Sequence, residues 1–175
     1  YGMGQADGVD GLLSALSAQL RAEGFRLAGA VQHNTLQPQS PCSDMIIEDL
    51  ATGRRIDIST PLAIAGGGCR LDATALEDVA GLVAASLEAR TPPVDLVVVN
   101  RFGKQEMAGH GFRGVIEQTV TREIPLLIAL NRVHRPQWDA FTGGHGTVLA
   151  PAAAAIEQWC RSVIRHDAPS RAQAI

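Results

Sequence analysis

The run Asp95-Leu96-Val97-Val98-Val99, followed at once by Asn100-Arg101-Phe102-Gly103-Lys104-Gln105-Glu106-Met107-Ala108-Gly109-His110-Gly111, limits the fold more than any other stretch. Pro92-Pro93 closes it on the N-terminal side. A short β-branched run bounded by turn residues predicts a buried strand of a parallel sheet. Its C-terminal end opens into a polar, glycine-containing loop, and open α/β sheets bind ligands at that edge.

Strands and helices alternate around this run. Val9, Leu12, Leu13, Leu16 and Leu20 recur at helical spacing, with Asp7 or Asp10 as the cap and Gly24 as the stop. A strand is predicted over 25–31, then a β-hairpin of 44–50 and 54–59 about the Ala51-Thr52-Gly53 turn. A second helix starts at Asp72 or Thr74, where Thr74 and Glu77 fit a capping box, and carries Leu76, Val79, Ala80, Val83 and Leu87 on one face. After the central strand come a helix over 112–123, a strand over 125–130, and helices over 136–141 and 152–164. This order predicts one α/β domain over 1–165, built as three layers on a mostly parallel sheet with a hairpin excursion, and a frayed tail over 166–175.

Composition removes several classes of partner. The 175 residues are 46% apolar and 19% charged, enough to bury a core without disulfides. A net charge of −3 and no block of Lys or Arg argue against nucleic acid and anionic membranes. No apolar run approaches the ~18 residues of a membrane span, and no leader pattern is visible, so a cytoplasmic location is expected. The chain starts at Tyr1, and residues ahead of it are expected.

Strands joined by helical crossovers place their C-terminal loops on one edge. Four polar segments should converge there: Gly2 to Gly8, Gln32-His33-Asn34, Asn100 to Glu106, and Asn131-Arg132-Val133-His134. Backbone N–H groups near Gly4, Gly8 and Gly103, the amides of Asn34, Asn100 and Asn131, His33, and the cations Arg101, Lys104 and Arg132 suit a small anionic ligand.

Five segments carry a family resemblance: Arg21 to Gly29, Cys42 with Asp44-Met45, Asp49-Leu50-Ala51-Thr52-Gly53, Gly68-Cys69-Arg70-Leu71-Asp72, and Asn100 to Glu106. From Val9 to about Leu149 the chain resembles an uncharacterised bacterial family similar to the small P-loop nucleoside-triphosphatases of the thermophile type. Members of that family are often labelled molybdenum-transport ATP-binding proteins. The resemblance implies a P-loop-hydrolase-like architecture and a nucleotide or an oxyanion such as molybdate as ligand.

The residues depart from the hydrolase pattern where its chemistry is most demanding. A phosphate loop needs glycines, a Lys on the phosphates and a Ser or Thr on Mg²⁺. The matching segment, Gly4 to Leu12, has Asp10 or a neighbour where the Lys should stand and Gly11 where the hydroxyl should stand. A carboxylate about 4 Å from a phosphate charge costs about 4 kcal/mol at a surface-like dielectric. The metal-holding carboxylate pair is replaced by Asn100-Arg101. The expectation is therefore a noncatalytic or weakly catalytic ligand-binding protein. Three alternatives stay open: an active Mg²⁺-dependent nucleoside triphosphatase using Lys104 and Glu106, a transition-metal protein using Cys42, Cys69 and His33, and a structural partner protein.

The remaining candidates read as packing or surface. Cys160, beside Trp159 and near Ile156, is expected in the core, and Trp138 and Phe141 are expected to pin a short helix. No Ser-His-Asp or paired-carboxylate spacing singles out His110, His134 or His145 as an acid or base.

Overall fold

In a computed structural model of the chain, the described residues are 6–36, 43–61, 69–89 and 93–164. Helix α1 (Ala6–Ala22) leads into strand β1 (Leu27–Leu36), followed by β2 (Ser43–Asp49), β3 (Arg55–Asp57), β4 (Ser59–Pro61) and β5 (Cys69–Leu71). Helix α2 (Ala73–Glu88) precedes β6 (Leu96–Phe102), the single-turn α3 (Lys104–Met107), α4 (Arg113–Thr121) and β7 (Leu126–Leu130). A 3-10 turn (Arg132–His134), α5 (Arg135–Thr142) and α6 (Ala153–Val163) complete the order.

The main sheet is mixed, with strand order β3-β2-β1-β6-β7. β1, β6 and β7 are parallel, with Ala30 opposite Val99 and Val99 opposite Ile128, whereas β2 pairs antiparallel with both β1 and β3. The sheet is thus mixed but mostly parallel, β2 alone running against the other strands. The expected hairpin is present, but it continues the sheet by pairing β2 with β1. β4 and β5 form a separate two-stranded ribbon that periodicity did not indicate.

Alternation along β6 assigns the two faces. Val97 and Val99 belong to one core with Leu76, Val79, Ala80, Val83 and Leu87 of α2 and Val115 of α4. Leu96 and Val98 belong to the other, with Leu13, Leu16 and Leu20 of α1 and Ile156 and Cys160 of α6. Each fully buried Val or Leu contributes about 1.5–3 kcal/mol of transfer free energy, so the central strand is anchored from both sides.

The helix boundaries follow from local chemistry. Gly24 sits at φ 93° just past α1, and the Phe25 N–H reaches the Leu20 carbonyl at 3.1 Å, as the predicted stop requires. The Asp72 carboxylate caps α2 by accepting from the Thr74 and Ala75 N–H groups. Those bonds hold its carboxyl below the usual range, the Ala75 bond most strongly. The anticipated Thr74–Glu77 capping box does not supply the cap, and Glu77 instead accepts from the Gly111 N–H. In the hairpin turn, Asp49 is buried and accepts from the Thr52 hydroxyl and the Ala51 N–H, while Gly53 adopts φ 75°.

Three elements differ from expectation. β1 runs on to Leu36, so Gln32, His33 and Asn34 are strand residues paired with Ile47, Ile46 and Met45 rather than a loop. Asn100 and Arg101 lie within β6, at the irregularity between the paired Val99 and Phe102, and the loop opens only at Gly103. α1 is helical from Ala6, so Gly8, Asp10 and Gly11 lie on a helix and not in a phosphate loop. Gly4, Cys42, the glycines at 66–68 and the tail from 166 lie outside the described residues.

Candidate functional site

Parallel β1, β6 and β7 end at one edge of the sheet, and α1 lies against β1 and β6 with its first turns over that edge. There the chain places an unusual buried polar cluster. Asp10, 3% exposed, faces Asn100, also 3% exposed. The Asn100 Nδ2 donates to Asp10 Oδ1 at 2.9 Å, and the Arg101 guanidinium donates to Asp10 Oδ1 at 2.7 Å and Oδ2 at 3.0 Å. The Asn100–Arg101 peptide bond is cis.

The two charge substitutions singled out in the sequence are therefore one contact. The resemblance sets Asp10 or a neighbour at the place of a Lys and Arg101 at that of a carboxylate, and Asp10 and Arg101 form an ion pair. Both bonds come from Nη2, so Asp10 holds one nitrogen of the guanidinium while the Arg101 side chain stays one-third exposed. A cation clamped by a carboxylate is pre-organised to meet an anion with its remaining N–H groups. Asn100 Oδ1 is buried without a hydrogen-bond partner among the described residues, an acceptor that a ligand N–H or O–H would satisfy.

The loop after β6 is built around Glu106. This carboxylate, 3% exposed, accepts from the Gly103 N–H at 2.8 Å and from the Phe112 N–H at 3.1 Å. Both oxygens are thus spent on tying the loop closed, which is not the open geometry of a general base. Gly111 adopts φ 59°, and a Cβ there would fall 2.4 Å from Glu106 Oε1, so the clasp needs glycine. Lys104 opens α3 and is exposed; neither Glu106 nor Glu117 pairs with it, because Glu117 takes Arg113 instead. Asn131 follows β7 and caps the 3-10 turn through the Val133 N–H, and Arg132 beside it is exposed.

Behind this edge an aromatic cluster holds α5. Phe102 at the end of β6 meets Trp138 edge-on at 5.2 Å between centroids and stacks on Phe141 at 5.9 Å. Arg113 lies over the Phe141 ring at 4.2 Å. Trp138 and Phe141 pin the helix as expected, and the aromatic contacts fix the position of the strand end that carries Asn100 and Arg101.

His33 Nε2 lies 3.0 Å from Glu48 Oε2, and Arg21 and Arg55 bind the same carboxylate. His33 is therefore committed to an ion network on β1 and β2. Cys69 opens β5 opposite Pro61. Among the described residues no three His, Cys, Asp or Glu side chains group as a metal site. Cys160 is buried on α6, and burial pushes its thiol up to about 11, which suits packing and not reactivity.

The Glu48 network gives a pH prediction. Burial raises the Glu48 carboxyl, but the hydrogen bonds and charges of Arg55 and His33 outweigh it and hold the group below its ordinary 4.5. A depressed carboxyl contributes stability above the unfolded-state value and loses it as pH falls through the folded value. Denaturant midpoints are expected to fall as pH drops below about 4.5, and Glu48→Gln is expected to flatten that fall. Equal slopes in the two proteins would remove Glu48 from the account.

Fold and site together define a three-layer α/β domain with a neutralised polar cluster and two exposed cations at the ends of its parallel strands. The chain belongs to the family described as "Protein of unknown function (DUF2478)", which matches residues 3–159. It is similar to the "Molybdenum import ATP-binding protein ModC 2" of Bradyrhizobium diazoefficiens, with 38% identity over 156 residues. That alignment takes in 89% of this chain and 17% of the relative, so the chain spans under a fifth of that protein's length. No solved structure matches the chain. No helix among the described residues is long and apolar enough to cross a membrane.

Proposed function

We propose that this domain is a noncatalytic binder of a small anion, a nucleotide phosphate or an oxyanion such as molybdate, at the C-terminal edge of β6 and β7. The observation that carries the reading is the Arg101 guanidinium, held from behind by buried Asp10 and still one-third exposed. Lys104 and Arg132 start the segments that follow the same two strands and add positive charge without a carboxylate partner in the described residues. A relative whose printed name speaks of molybdenum import and ATP binding supports the same ligand class.

Absence of hydrolysis follows from the donor set. Phosphoryl transfer to water needs a carboxylate-held Mg²⁺ and a group that orients the water. Asn100 and Arg101 stand where the resemblance places carboxylates, and the Asp10 and Glu106 oxygens accept internal hydrogen bonds. The residues fit the binding of an anion and do not fit a Mg²⁺ site.

Thermal unfolding against ATP, GTP, molybdate, tungstate, sulfate and phosphate, each with and without Mg²⁺, tests the proposal. A ligand at about 100 times its Kd stabilises by about 2.7 kcal/mol. The expected result is a rise in Tm with at least one of these anions that does not depend on Mg²⁺, and no phosphate release from ATP. A flat panel would exclude the anion reading. Mg²⁺-dependent phosphate release lost in Lys104→Ala would replace it with the triphosphatase.

A further inference from the structure

At the opposite end of the sheet, where β1 and β6 begin, a cavity of about 360 Å³ opens between the C-terminal ends of α1 and α2. Its wall is apolar, with Phe25, Leu27, Leu50 and Val94, and two arginines, Arg21 and Arg26, stand at its lining. The space is broadly open to solvent, and its mainly apolar lining with a few polar groups is the composition of many small-molecule sites. We infer that it is a second ligand site, for a carboxylate carried on an aliphatic or aromatic body. The inference does not depend on the anion site at the other edge.

The two guanidinium groups are held in place by other contacts. Arg26 Nε donates to the Pro93 carbonyl at 2.7 Å, and the Arg26 N–H donates to the Asp95 carboxylate at 2.7 Å. These bonds fix the base of the side chain and leave its terminal nitrogens to face a planar carboxylate. Arg21 donates to Glu48, and that carboxylate also takes Arg55, so one negative charge meets two arginines there, while Asp95 stands beside the Arg26 backbone.

Helix C-termini would repel an anion through their unpaired carbonyls. Here some of those carbonyls are occupied. The Gly24 and Phe25 N–H groups take the Arg21 and Leu20 carbonyls at the end of α1. At the end of α2, the Arg122 guanidinium donates to the Leu87 carbonyl. The remaining chemistry is an apolar body against Leu27, Leu50 and Val94 with an anionic head on Arg26.

Octanoate and octanol, equal in chain length and different in charge, separate the two parts. In amide NMR titrations of the full chain, octanoate is expected to shift Phe25, Arg26, Leu27, Leu50 and Val94, and octanol at the same concentration to shift them far less. Arg26→Gln is expected to weaken octanoate at least tenfold, Arg26→Lys to retain part of the affinity, and Ala51→Trp, which places a bulky ring at an exposed lining position, to block it. Equal response to octanol, shifts confined to other residues, or no response to octanoate at about 10 mM, well above a millimolar Kd, would each overturn the site. Tenfold loss in Arg26→Gln with unchanged amide dispersion excludes unfolding as its cause.

Discussion

Gly29→Ala is expected to prevent folding, or to cost more than about 4 kcal/mol where folded protein can be recovered. Gly29 lies in β1 opposite Val98 of β6, at φ 102°, a conformation that L side chains rarely adopt. A Cβ there would sit 1.9 Å from the Val98 carbonyl oxygen and 2.8 Å from the Val98 carbonyl carbon and nitrogen. The obstacle is backbone, and it belongs to the central strand, whose side chains are buried on both faces and whose ladder is paired on both sides. No rotamer change relieves such a contact. Gly81→Ala is the control: Gly81 lies on exposed α2 surface, a Cβ there meets nothing within 4 Å, and helix propensity predicts a gain of up to about 1 kcal/mol. Soluble yield and urea midpoints measure both, and a Gly29→Ala midpoint near that of the parent would disprove the close β1–β6 approach.

Asp10→Ala is the second large effect, expected to destabilise by about 3 kcal/mol. Removing one partner of a buried pair leaves the other charge uncompensated, which costs about 3–5 kcal/mol for a fully buried pair. Arg101 is one-third exposed and can rehydrate, so the low end applies. The Asn100 amide adds to the loss, because its Nδ2 would lose Asp10 as acceptor while its Oδ1 is already unpartnered among the described residues. The double variant Asp10→Leu/Arg101→Leu is expected to be more stable than Asp10→Ala, since an apolar pair replaces an orphaned charge. Chemical denaturation of the single and double variants provides the comparison. A loss below about 1 kcal/mol for Asp10→Ala would mean that the pair does not anchor the strand end.

The parts of this fold that were legible in the sequence are those fixed by local rules. The five apolar positions of α2 are all buried, because a 3.6-residue period states a face without reference to any partner. The Ala51-Thr52-Gly53 turn and the stop at Gly24 follow from residues that tolerate positive φ. What was not legible depends on distant pairing. β1 extends through His33 and Asn34 because β2 supplies a partner strand, and polar side chains on such a ribbon look like a loop in one dimension. The short β4–β5 pairs carry too few residues for an alternation to show.

The site shows the same division. Asn100, Arg101 and Asp10 were each singled out, yet nothing in one sequence says that residues 91 positions apart touch. The usable signal is charge: the resemblance sets an acid in place of a Lys and a base in place of an acid, and such changes are complementary. By sequence alone Glu106 is a candidate catalytic group in the triphosphatase alternative. Its spacing of three from Gly103 is that of a side chain returning to a cap N–H, and this is the contact it makes.

Titration calorimetry of the parent protein and of Arg101→Gln, Lys104→Ala and Arg132→Ala with ATP and with molybdate, at low and at high salt, tests the anion site most directly. Lys104 and Arg132 are exposed, so their loss leaves the fold intact and isolates the charge. Saturable binding of at least one of the two anions is expected, weaker at high salt, reduced tenfold or more in Arg101→Gln and less in the two exposed variants. Absence of binding to both anions, or equal affinity in the parent and in Arg101→Gln, would contradict it.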